Sequence, residues 1–371
     1  MSIIFMVNVL YVDMRNMLCK LAGICLAGVL FVACTPSDDL EFSVPDFSQS
    51  LTSDPILLSE DISFNNPYDL FSYKKYLVVV AYDKATKKCI HLYNKSNGRR
   101  VASLLFRGRG PRETMMGYYN ASFDPDKELL TLFDLTKSTC LKVNLRKVIE
   151  GDSADAIEEI KDALEGEWIA HRMPFSGGTI SIYNPSHVIS TDSLNRIEIR
   201  DRRNKVLSSI ASFPMIDPKE RFQIYSVDRA CLSDDQKTLA IATSYGSILE
   251  IFDIENGMIS QTFTGYYVRP GIKLTEYGGV DTKENVYGFN DIDISGRNIF
   301  AAYDGEVMGK DAKTMGLFKN IAIWSVSGKA KKLIRTSYEI QRLTYDSKEQ
   351  VLYLIVSDSN GTYLAKMEDA I

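Results

Sequence analysis

Residues 230–242 read ACLSDDQKTLAIA, and this stretch decides the fold. A short apolar run leads to Ser233, a polar turn follows, and a second apolar run begins at Leu239. Two such runs joined by a short polar turn are typical of a β-hairpin. A Ser or Asp at the corner favours the turn, because its side chain can accept a hydrogen bond from the turn backbone.

The same hairpin pattern recurs along the chain, with its corners at comparable intervals. Four further copies lie at residues 70–82, 121–133, 292–303 and 343–356. The corners of the five copies are Ser72, Asp124, Ser233, Ser295 and Asp346. The interval between the second and third corners is about twice the others, which predicts one missed copy. Residues 179–190, TISIYNPSHVIS, lie where that copy is needed.

A second hairpin follows each first one. Its first strand is predicted at residues 91–93, 141–143, 197–199, 249–252, 321–324 and 363–365. In the first five copies a turn leads to a further strand, and Gly98, Gly257 and Gly328 supply the positive φ that such turns favour. The sixth copy is followed by residues 366–371, which are too few for a turn and a full strand.

Six units of four strands, with the last unit lacking its outer strand, predict an all-β six-bladed β-propeller with four-stranded blades. We expect an N-terminal strand within residues 55–61, PILLSED, to complete the last blade. The propeller domain is therefore predicted to span residues 55–371. A two-sheet sandwich and two small β domains are the alternatives, and they account less well for six matched repeats.

Two insertions interrupt the repeat. Residues 152–165, DSADAIEEIKDALE, place Ile157, Ile160 and Leu164 on one face, which predicts an amphipathic helix packed on blade 2 or blade 3. Residues 304–320 are predicted to form a long loop inside blade 5, and long loops on a rigid scaffold are frequent binding sites.

The N-terminus has the pattern of an export signal. Arg15 and Lys20 precede an apolar run over residues 21–32, which is shorter than the roughly 20 residues that span a bilayer. The run ends in LFVAC, which resembles a bacterial lipobox, and this resemblance implies cleavage before Cys34 and lipidation of its thiol. We predict a signal peptide over residues 1–33, with Met14 as an alternative start. An ordinary secretory signal followed by an incidental Cys is the other interpretation.

Residues 34–54 are interpreted as the lipidated Cys and a flexible tether, because residues 35–54 are rich in Ser, Thr, Asp and Pro. The acidic tract TPSDDLE resembles the surface-export signal of Bacteroidetes lipoproteins, although a solvated tether explains it equally well. We therefore expect a lipid-anchored protein of the outer membrane or cell surface. The remaining cysteines, Cys89, Cys140 and Cys231, are odd in number and far apart, which predicts buried or half-buried thiols in strands.

Composition limits the function classes. The chain is 45% hydrophobic and 25% charged, as in globular proteins. Lys and Arg number 43 against 48 Asp and Glu, and the net charge of -5 gives no general basis for binding nucleic acid. The sequence contains three His and has no HExxH, nucleophile-elbow or phosphate-loop pattern, so no catalytic residue is predicted.

Two motifs resemble one family. Residues 233–240, SDDQKTLA, resemble the Ser-Pro-Asp-Gly-Lys-x-Leu hairpin of TolB-like propellers. Residues 106–113, FRGRGPRE, resemble the Gly-x-Gly-Pro-Gly-Glu turn of TolB-like six-bladed propeller lipoproteins of Bacteroidetes, with Arg112 where that turn has the glycine before Glu. The resemblance implies the propeller fold. It implies little about activity, because a fold does not set a function.

In a propeller, the linkers between blades lie on one face with the loops between second and third strands. On the predicted blade map this face collects Arg and Tyr side chains, which dominate interface hot spots. We predict that it binds an envelope protein or peptide, with a glycan as the alternative ligand. The candidate residues are Arg107, Arg109, Arg112, Tyr118, Tyr119, Arg221, Tyr225, Tyr266, Tyr267 and Arg269. The plain interpretation is that Gly108, Gly110 and Pro111 shape a crossover while the arginines are solvated or pair with carboxylates.

The competing function is a cation-dependent hydrolase or lactonase with its site in the central channel. Such a site uses carboxylate and amide oxygens as ligands of a divalent cation. Asp228, Asn290 and Asp291 lie near predicted inner strands and are the candidates. We favour no metal and no cofactor, because acidic residues at strand ends are common in such repeats.

Overall fold

The structure is a computed structural model that describes residues 43–371 apart from several short gaps. The residues outside the description are 1–42, 60–61, 63, 65–66, 116–120, 135, 153–154, 162–168, 186–194, 212, 214–220, 222, 226–227, 268–272, 275–279, 282–285 and 306–317. The predicted signal peptide, Cys34, the first part of the tether and most of the predicted blade 5 loop therefore lie outside the described residues.

The described chain is built almost entirely of strands. In chain order they are β1 (Gln49–Thr52), β2 (Ile56–Leu57), β3 (Asp69–Tyr73), β4 (Tyr76–Asp83), β5 (Lys88–Asn94), β6 (Arg100–Phe106), β7 (Ala121–Asp124), β8 (Leu129–Asp134), β9 (Thr139–Asn144), β10 (Ile157–Lys161), β11 (Ile169–Phe175), β12 (Gly178–Tyr183), β13 (Ile197–Asp201), β14 (Val206–Ile210), β15 (Asp228–Leu232), β16 (Thr238–Thr243), β17 (Ile248–Glu255), β18 (Met258–Tyr266), β19 (Lys273–Leu274), β20 (Val280–Asp281), β21 (Phe289–Ser295), β22 (Asn298–Tyr303), β23 (Asn320–Ser325), β24 (Ala330–Arg335), β25 (Glu339–Asp346), β26 (Val351–Ser357) and β27 (Thr362–Met367).

Apart from β19 and β20, which pair with each other, these strands form six blades. Strands β3–β6, β7–β10, β11–β14 and β15–β18 are four separate four-stranded sheets, which are blades 1 to 4. Blade 5 contains β21–β24, and blade 6 contains β25–β27. The predicted all-β six-bladed propeller with four-stranded blades is confirmed. The six third strands predicted from the repeat coincide with β5, β9, β13, β17, β23 and β27.

The N-terminal chain adds a strand to each of the last two blades. β2 pairs antiparallel with β27, with Ile56 opposite Lys366 and Leu57 opposite Ala365. β1 pairs in parallel with β24 and is the fifth strand of blade 5. The N-terminal strand β2 and the C-terminal strand β27 therefore share blade 6.

The described part of the predicted tether, residues 43–54, contacts blades 4 and 5. We call residues 43–54 the N-terminal strap. The Ser43 amide donates to the Tyr266 carbonyl (2.9 Å), and the Phe47 ring packs edge-on against Trp324 with ring centroids 5.1 Å apart. The four residues of β1, QSLT, are exposed, and the strand pairs through its backbone, so its composition gives no sign of a strand.

The predicted helix over residues 152–165 is wrong. Its central part, Ile157–Lys161, is β10, the outer strand of blade 2. The described helix of this region, α1, is Leu145–Ile149, and its N-cap Asn144 accepts a hydrogen bond from the backbone of the first turn. An outer strand is largely exposed, so its apolar residues need not alternate strictly, and a spacing of three residues also fits a helix.

The missed hairpin of blade 3 begins earlier than predicted. Residues 179–190 were expected to contain both strands, whereas the structure forms the hairpin from β11 and β12, with the turn at Ser176–Gly177. β11 has the sequence IAHRMPF, in which His171, Arg172 and Pro174 interrupt the apolar pattern. Of the two strands of this hairpin, only β12 could therefore be recognised from its apolar pattern.

The hydrophobic core lies between neighbouring blades. Val78 and Leu92 of blade 1 belong to one buried cluster with Leu130 and Leu141 of blade 2, and all four side chains are fully buried. Burying a side chain of this size contributes about 1.5–3 kcal/mol. Because the second and third strands of a blade are covered on both faces, they read in the sequence as nearly continuous apolar runs.

The three cysteines of the propeller are free thiols, as predicted. Cys89 and Cys140 are buried and Cys231 is half-buried, in β5, β9 and β15. Within the part of the chain that the structure describes, no helix has the length and apolar character needed to span a membrane.

Candidate functional site

The propeller has two faces that carry different loops. Every inner strand starts at the face that also receives the linker from the preceding blade and the loop between second and third strands. We call this the linker face. The opposite face carries the two remaining turns of each blade, and we call it the turn face. The predicted binding residues that the structure describes all lie in elements at the linker face.

Residues 107–115, which we call the Arg turn, join blade 1 to blade 2. The turn folds back on itself, because the Gly108 amide donates to the Thr114 carbonyl (2.9 Å). The Glu113 side chain accepts a hydrogen bond from the Gly110 amide (2.7 Å). A Cβ on Gly108 would lie 2.1 Å from the Glu113 carboxylate, so a larger residue at this position would displace the Glu113 side chain.

Lys137 of blade 2 binds two backbone carbonyl groups of the Arg turn. Its ammonium donates to the carbonyls of Gly110 (3.0 Å) and Glu113 (2.8 Å), and it forms an ion pair with Glu159 (2.6 Å). The Lys137 side chain is 13% exposed. Charge-assisted hydrogen bonds with little solvent around them are stronger than neutral ones.

Two carboxylates of blade 2 bind the amides and a hydroxyl of the same turn. Asp134 accepts from the Thr114 hydroxyl and the Met115 amide, both at 2.7 Å. Glu159 accepts from the Arg112 amide at 2.6 Å. The backbone of the Arg turn is therefore fixed by blade 2 rather than by its own arginine side chains.

The three arginines of the turn are exposed. The Arg107 guanidinium lies over the Tyr82 ring, 4.9 Å from its centroid. Arg112 has a φ of 57°, in the left-handed region that favours glycine. The turn thus combines a fixed backbone with three exposed cationic side chains, on a chain whose net charge is -5.

The predicted residues between blades 3 and 4 lie inside the molecule. Tyr225 is 1% exposed, and its hydroxyl donates to Glu250 (3.2 Å). Burial, followed by the Glu250 charge, raises the pKa of the Tyr225 phenol well above its usual value. Arg221 is half-buried over the Phe213 ring. Tyr225 offers no exposed surface to a partner, which corrects its predicted place on the binding face.

Tyr225 belongs to a buried ion pair that sequence reasoning missed. Arg196 makes two hydrogen bonds to Glu250 (2.8 and 2.6 Å), and each side chain is 1% exposed. The Arg196 guanidinium also lies over the rings of Phe213 (4.7 Å) and Tyr225 (4.3 Å). A usable signal was Glu250 itself, because it is the one acidic residue in the apolar run 248–252, ILEIF.

Two of the remaining predicted residues, Tyr266 and Tyr267, lie at the end of β18, and the other three lie outside the described residues. Tyr267 is 7% exposed and stacks on Trp324 at 5.7 Å, so it is part of the core between blades 4 and 5. Tyr266 is half-buried, and burial raises its pKa to about 12. Tyr118, Tyr119 and Arg269 lie outside the described residues.

The central channel is a cavity of about 680 Å³ lined by the inner strands of all six blades. Among the predicted metal candidates, Asn290 uses its amide as a donor, to the carbonyls of Ile340 (3.1 Å) and Gln341 (3.2 Å) in blade 6. Asn290 therefore links blade 5 to blade 6. Asp228 begins β15, and its side chain lies outside the description.

Near the linker face, the channel contains two arginines and two aspartates. Arg229 lies 4.0 Å from both Asp69 and Asp291, and Arg342 donates to the Tyr68 carbonyl (2.5 Å). Burial raises the pKa of Asp69 to about 6 and lowers that of Arg342 to about 10. Charges of both signs are needed here, because an unpaired buried charge is strongly destabilising.

Three channel aspartates join neighbouring blades through backbone amides. In each case the donor lies 52 residues after the aspartate, in the inner strand of the next blade. The pairs are Asp69 with Ala121 (2.9 Å), Asp291 with Leu343 (2.9 Å) and Asp293 with Tyr345 (2.7 Å). Within the described ranges, no three His, Cys, Asp or Glu side chains are grouped so that they could hold a metal ion.

Comparison with known families agrees with this architecture. The model of the family described as TolB-like 6-blade propeller-like matches residues 46–348, which include the Arg turn and most of the strap. The chain belongs to the TolB-like six-bladed propeller family. No curated protein sequence matches it.

Similar solved structures share the fold at low sequence identity. A protein of Bacteroides fragilis NCTC 9343 that carries the name of an exported protein is 10% identical, with a TM-score of 0.52, over 86% of this chain and 97% of that chain. The β-propeller domain of Cps50 (Swd1) from Myceliophteria thermophila is also 10% identical, with a TM-score of 0.44, over 84% of this chain and 100% of that chain. At this identity the likeness concerns the fold alone.

Proposed function

We propose that this protein is a lipid-anchored, non-catalytic binding module of the bacterial envelope, whose Arg turn contacts a protein or peptide partner. The observation that supports this is the fixed backbone beneath three exposed arginines. A partner would not have to order this loop, so less binding free energy would be lost. A guanidinium group presents planar donors that suit the carboxylates and carbonyls of a protein partner.

The envelope location is part of the proposal. It is supported by the lipobox-like segment 30–34 with its preceding apolar run. The Bacteroides fragilis protein of the same fold carries the name of an exported protein, which is consistent with this location. Outer membrane and cell surface are both compatible with the acidic tract after Cys34.

Affinity capture from native membranes tests the proposal. Full-length protein tagged at its C-terminus is purified in mild detergent, and the co-purifying proteins are identified by mass spectrometry. The double variant Arg109→Ala/Arg112→Ala is expected to weaken capture of a specific partner by at least about tenfold, as for loss of an interface hot spot. The matched control Arg99→Ala/Arg203→Ala removes two exposed arginines of the turn face and should keep the partner.

Equal capture by the double variant and the unchanged protein would contradict the proposed site. The cation-dependent hydrolase or lactonase makes a different prediction. Purified protein would then contain a divalent cation, and a chelator would lower its melting temperature. A glycan ligand would be recognised by binding to envelope polysaccharide without any protein partner.

A further inference from the structure

Two positive and two negative side chains meet inside the central channel near the linker face. The cations are Arg229 of blade 4 and Arg342 of blade 6, and the anions are Asp69 of blade 1 and Asp291 of blade 5. The side chains of Arg229, Asp69 and Asp291 are 19%, 16% and 10% exposed, so they reach the space of the channel although they lie inside the ring. Because the four charges cancel, the group favours neither a simple cation nor a simple anion.

Arg229 stands apart from both aspartates. Its guanidinium lies 4.0 Å from Asp69 and 4.0 Å from Asp291, whereas a hydrogen bond between such groups needs about 2.7–3.2 Å. By contrast, the buried pair at the boundary of blades 3 and 4, Arg196 with Glu250, closes to 2.6 Å. The channel charges are therefore separated by a gap that an inserted polar group can bridge.

The neighbouring blades hold each aspartate by one oxygen. Oδ2 of Asp69 accepts from the Ala121 amide, and Oδ2 of Asp291 accepts from the Leu343 amide, both at 2.9 Å. The other oxygen of each carboxylate, Oδ1, is the atom that lies 4.0 Å from Arg229. Each aspartate thus keeps Oδ1 on the side of Arg229, in a position that an inter-blade hydrogen bond fixes.

The two arginines are fixed by backbone carbonyls through part of their donors. Arg342 donates from Nε to the Tyr68 carbonyl (2.5 Å) and from Nη1 to the Gln341 carbonyl. Arg229 donates from Nε to the Asn290 carbonyl (3.0 Å) and from Nη1 to the same Tyr68 carbonyl (3.4 Å). The hydrogen bonds of the described residues leave Nη2 of both arginines unused. Burial, and after it the charge of Arg229, lower the pKa of Arg342 to about 10, so the two guanidiniums are close enough to repel each other.

We propose that this part of the channel binds a free α-amino acid. The carboxylate of the amino acid accepts hydrogen bonds from the Nη2 groups of Arg229 and Arg342. Its ammonium donates to the Oδ1 atoms of Asp69 and Asp291. A ligand with only one of these charges leaves the protein groups that match the other charge without a partner. The Arg turn takes no part in this site, so binding in the channel is independent of the proposed function.

The channel also has room for the side chain of the amino acid. Its volume of about 680 Å³ lies within the range of about 300–1,000 Å³ that is typical of small-molecule pockets. Phe71 and Phe123 line the cavity on the inner strands of blades 1 and 2, with ring centroids 6.0 Å apart. Phe71 follows Asp69 by two residues, toward the turn face. These rings give an apolar side chain a surface on which to pack, so we expect apolar amino acids to bind best.

Isothermal titration calorimetry tests the proposal. Full-length protein is dialysed exhaustively to remove amino acids acquired from the cell, and each common amino acid is titrated into it at pH 7.5. Asp69 is ionised at this pH, because its pKa is about 6. We expect at least one apolar amino acid to bind with a Kd below about 1 mM. Failure of every amino acid to bind would overturn the proposal.

Analogues with a single charge test the recognition of both charges. For L-phenylalanine they are 3-phenylpropionate, which lacks the ammonium, and 2-phenylethylamine, which lacks the carboxylate. The amino acid that binds most tightly should exceed each of its two analogues in affinity by at least about tenfold, because each analogue forfeits one set of charged hydrogen bonds. An analogue that binds as tightly as the amino acid would also overturn the proposal.

The double variant Asp69→Asn/Asp291→Asn assigns the ammonium to its two acceptors. Asparagine keeps an oxygen for the inter-blade hydrogen bond and removes the charge. Amino acid binding should weaken by at least about tenfold, while the affinity for the analogue without the ammonium should not fall, and a general loss of structure would not produce this difference. The matched control is Asp293→Asn, because Asp293 accepts from the Tyr345 amide in the same way (2.7 Å).

An equal loss of amino acid binding in the control and the double variant would assign the effect to blade packing and contradict the site. Circular dichroism checks that each variant is folded. If the double variant does not fold, the comparison of analogues on the unchanged protein still decides the question. The variant Arg109→Ala/Arg112→Ala should bind the amino acid normally, so failure at the Arg turn and failure in the channel are distinguishable.

Discussion

The Arg turn and the Arg196 site are both built from arginine and glutamate near the linker face, yet they leave arginine in opposite environments. In the Arg turn, Glu113 and Glu159 accept hydrogen bonds from backbone amides, and the arginine side chains stay exposed. At the blade 3–4 boundary, Glu250 binds the guanidinium of Arg196 directly, and both side chains are buried. The exposed arginines thus occur where the carboxylates bind backbone amides, and the buried arginine occurs where a carboxylate binds the guanidinium.

The two arrangements also differ in what they stabilise. A buried pair with two hydrogen bonds fixes two blades against each other, and loss of one member leaves the other charged and buried. The carboxylates of the Arg turn stabilise the shape of a surface loop, and each such hydrogen bond contributes only about 1–2 kcal/mol. Substitutions in the two regions should therefore differ in kind as well as in size.

The largest effect is expected for Glu250→Gln. This change removes the negative charge and leaves the Arg196 guanidinium buried at 1% exposure, which should lower the free energy of unfolding by about 3–5 kcal/mol. Chemical denaturation monitored by circular dichroism measures it. The double variant Arg196→Met/Glu250→Leu should recover most of the loss, because no buried charge then remains. A loss below about 1 kcal/mol for Glu250→Gln would show that this pair does not hold the blades together.

An intermediate effect is expected for Glu113→Ala. The amide of Gly110 loses its acceptor, so the free energy of unfolding should fall by about 1–2 kcal/mol. Partner capture should weaken as well, although all three arginines of the turn remain. Glu158→Ala is the matched control, because Glu158 is an exposed acidic residue of β10. Unchanged capture by Glu113→Ala would mean that the fixed backbone does not contribute to binding.

The parts of the fold that the sequence predicted are those in which burial is strongest. The second and third strands of each blade, such as β4 and β5, are covered on both faces and read as apolar runs. β10 and β1 are outer strands with exposed residues, so one was predicted as a helix and the other as a flexible tether. Both strands form through backbone hydrogen bonds to a neighbouring strand, and such pairing places few requirements on the type of side chain.

The candidate site could be predicted only in part for a related reason. The glycines and Pro111 of the Arg turn indicated a tight crossover, and the exposure of its arginines follows from that shape. The residue types Arg and Tyr did not distinguish Tyr225 or Tyr267, which are buried, from the exposed arginines. Their burial depends on Glu250 and Trp324, which are 25 and 57 residues distant in the chain.

The smallest effect is expected for Arg112→Gly. This variant separates the effect of the backbone conformation at position 112 from the effect of the guanidinium side chain. Arg112 has a φ of 57°, and the TolB-like turn that this segment resembles has a glycine at this position. A non-glycine residue in the left-handed region costs about 1–2 kcal/mol, part of which is offset because glycine loses more freedom on folding, so we expect a net gain of about 0.5–1 kcal/mol. Arg112→Ala is the control, because it removes the same guanidinium and keeps the strained φ. Equal stability of the two variants would show that strain at this position is negligible. If Arg112→Gly is more stable while both variants lose the partner equally, the guanidinium at position 112 serves binding at the expense of stability.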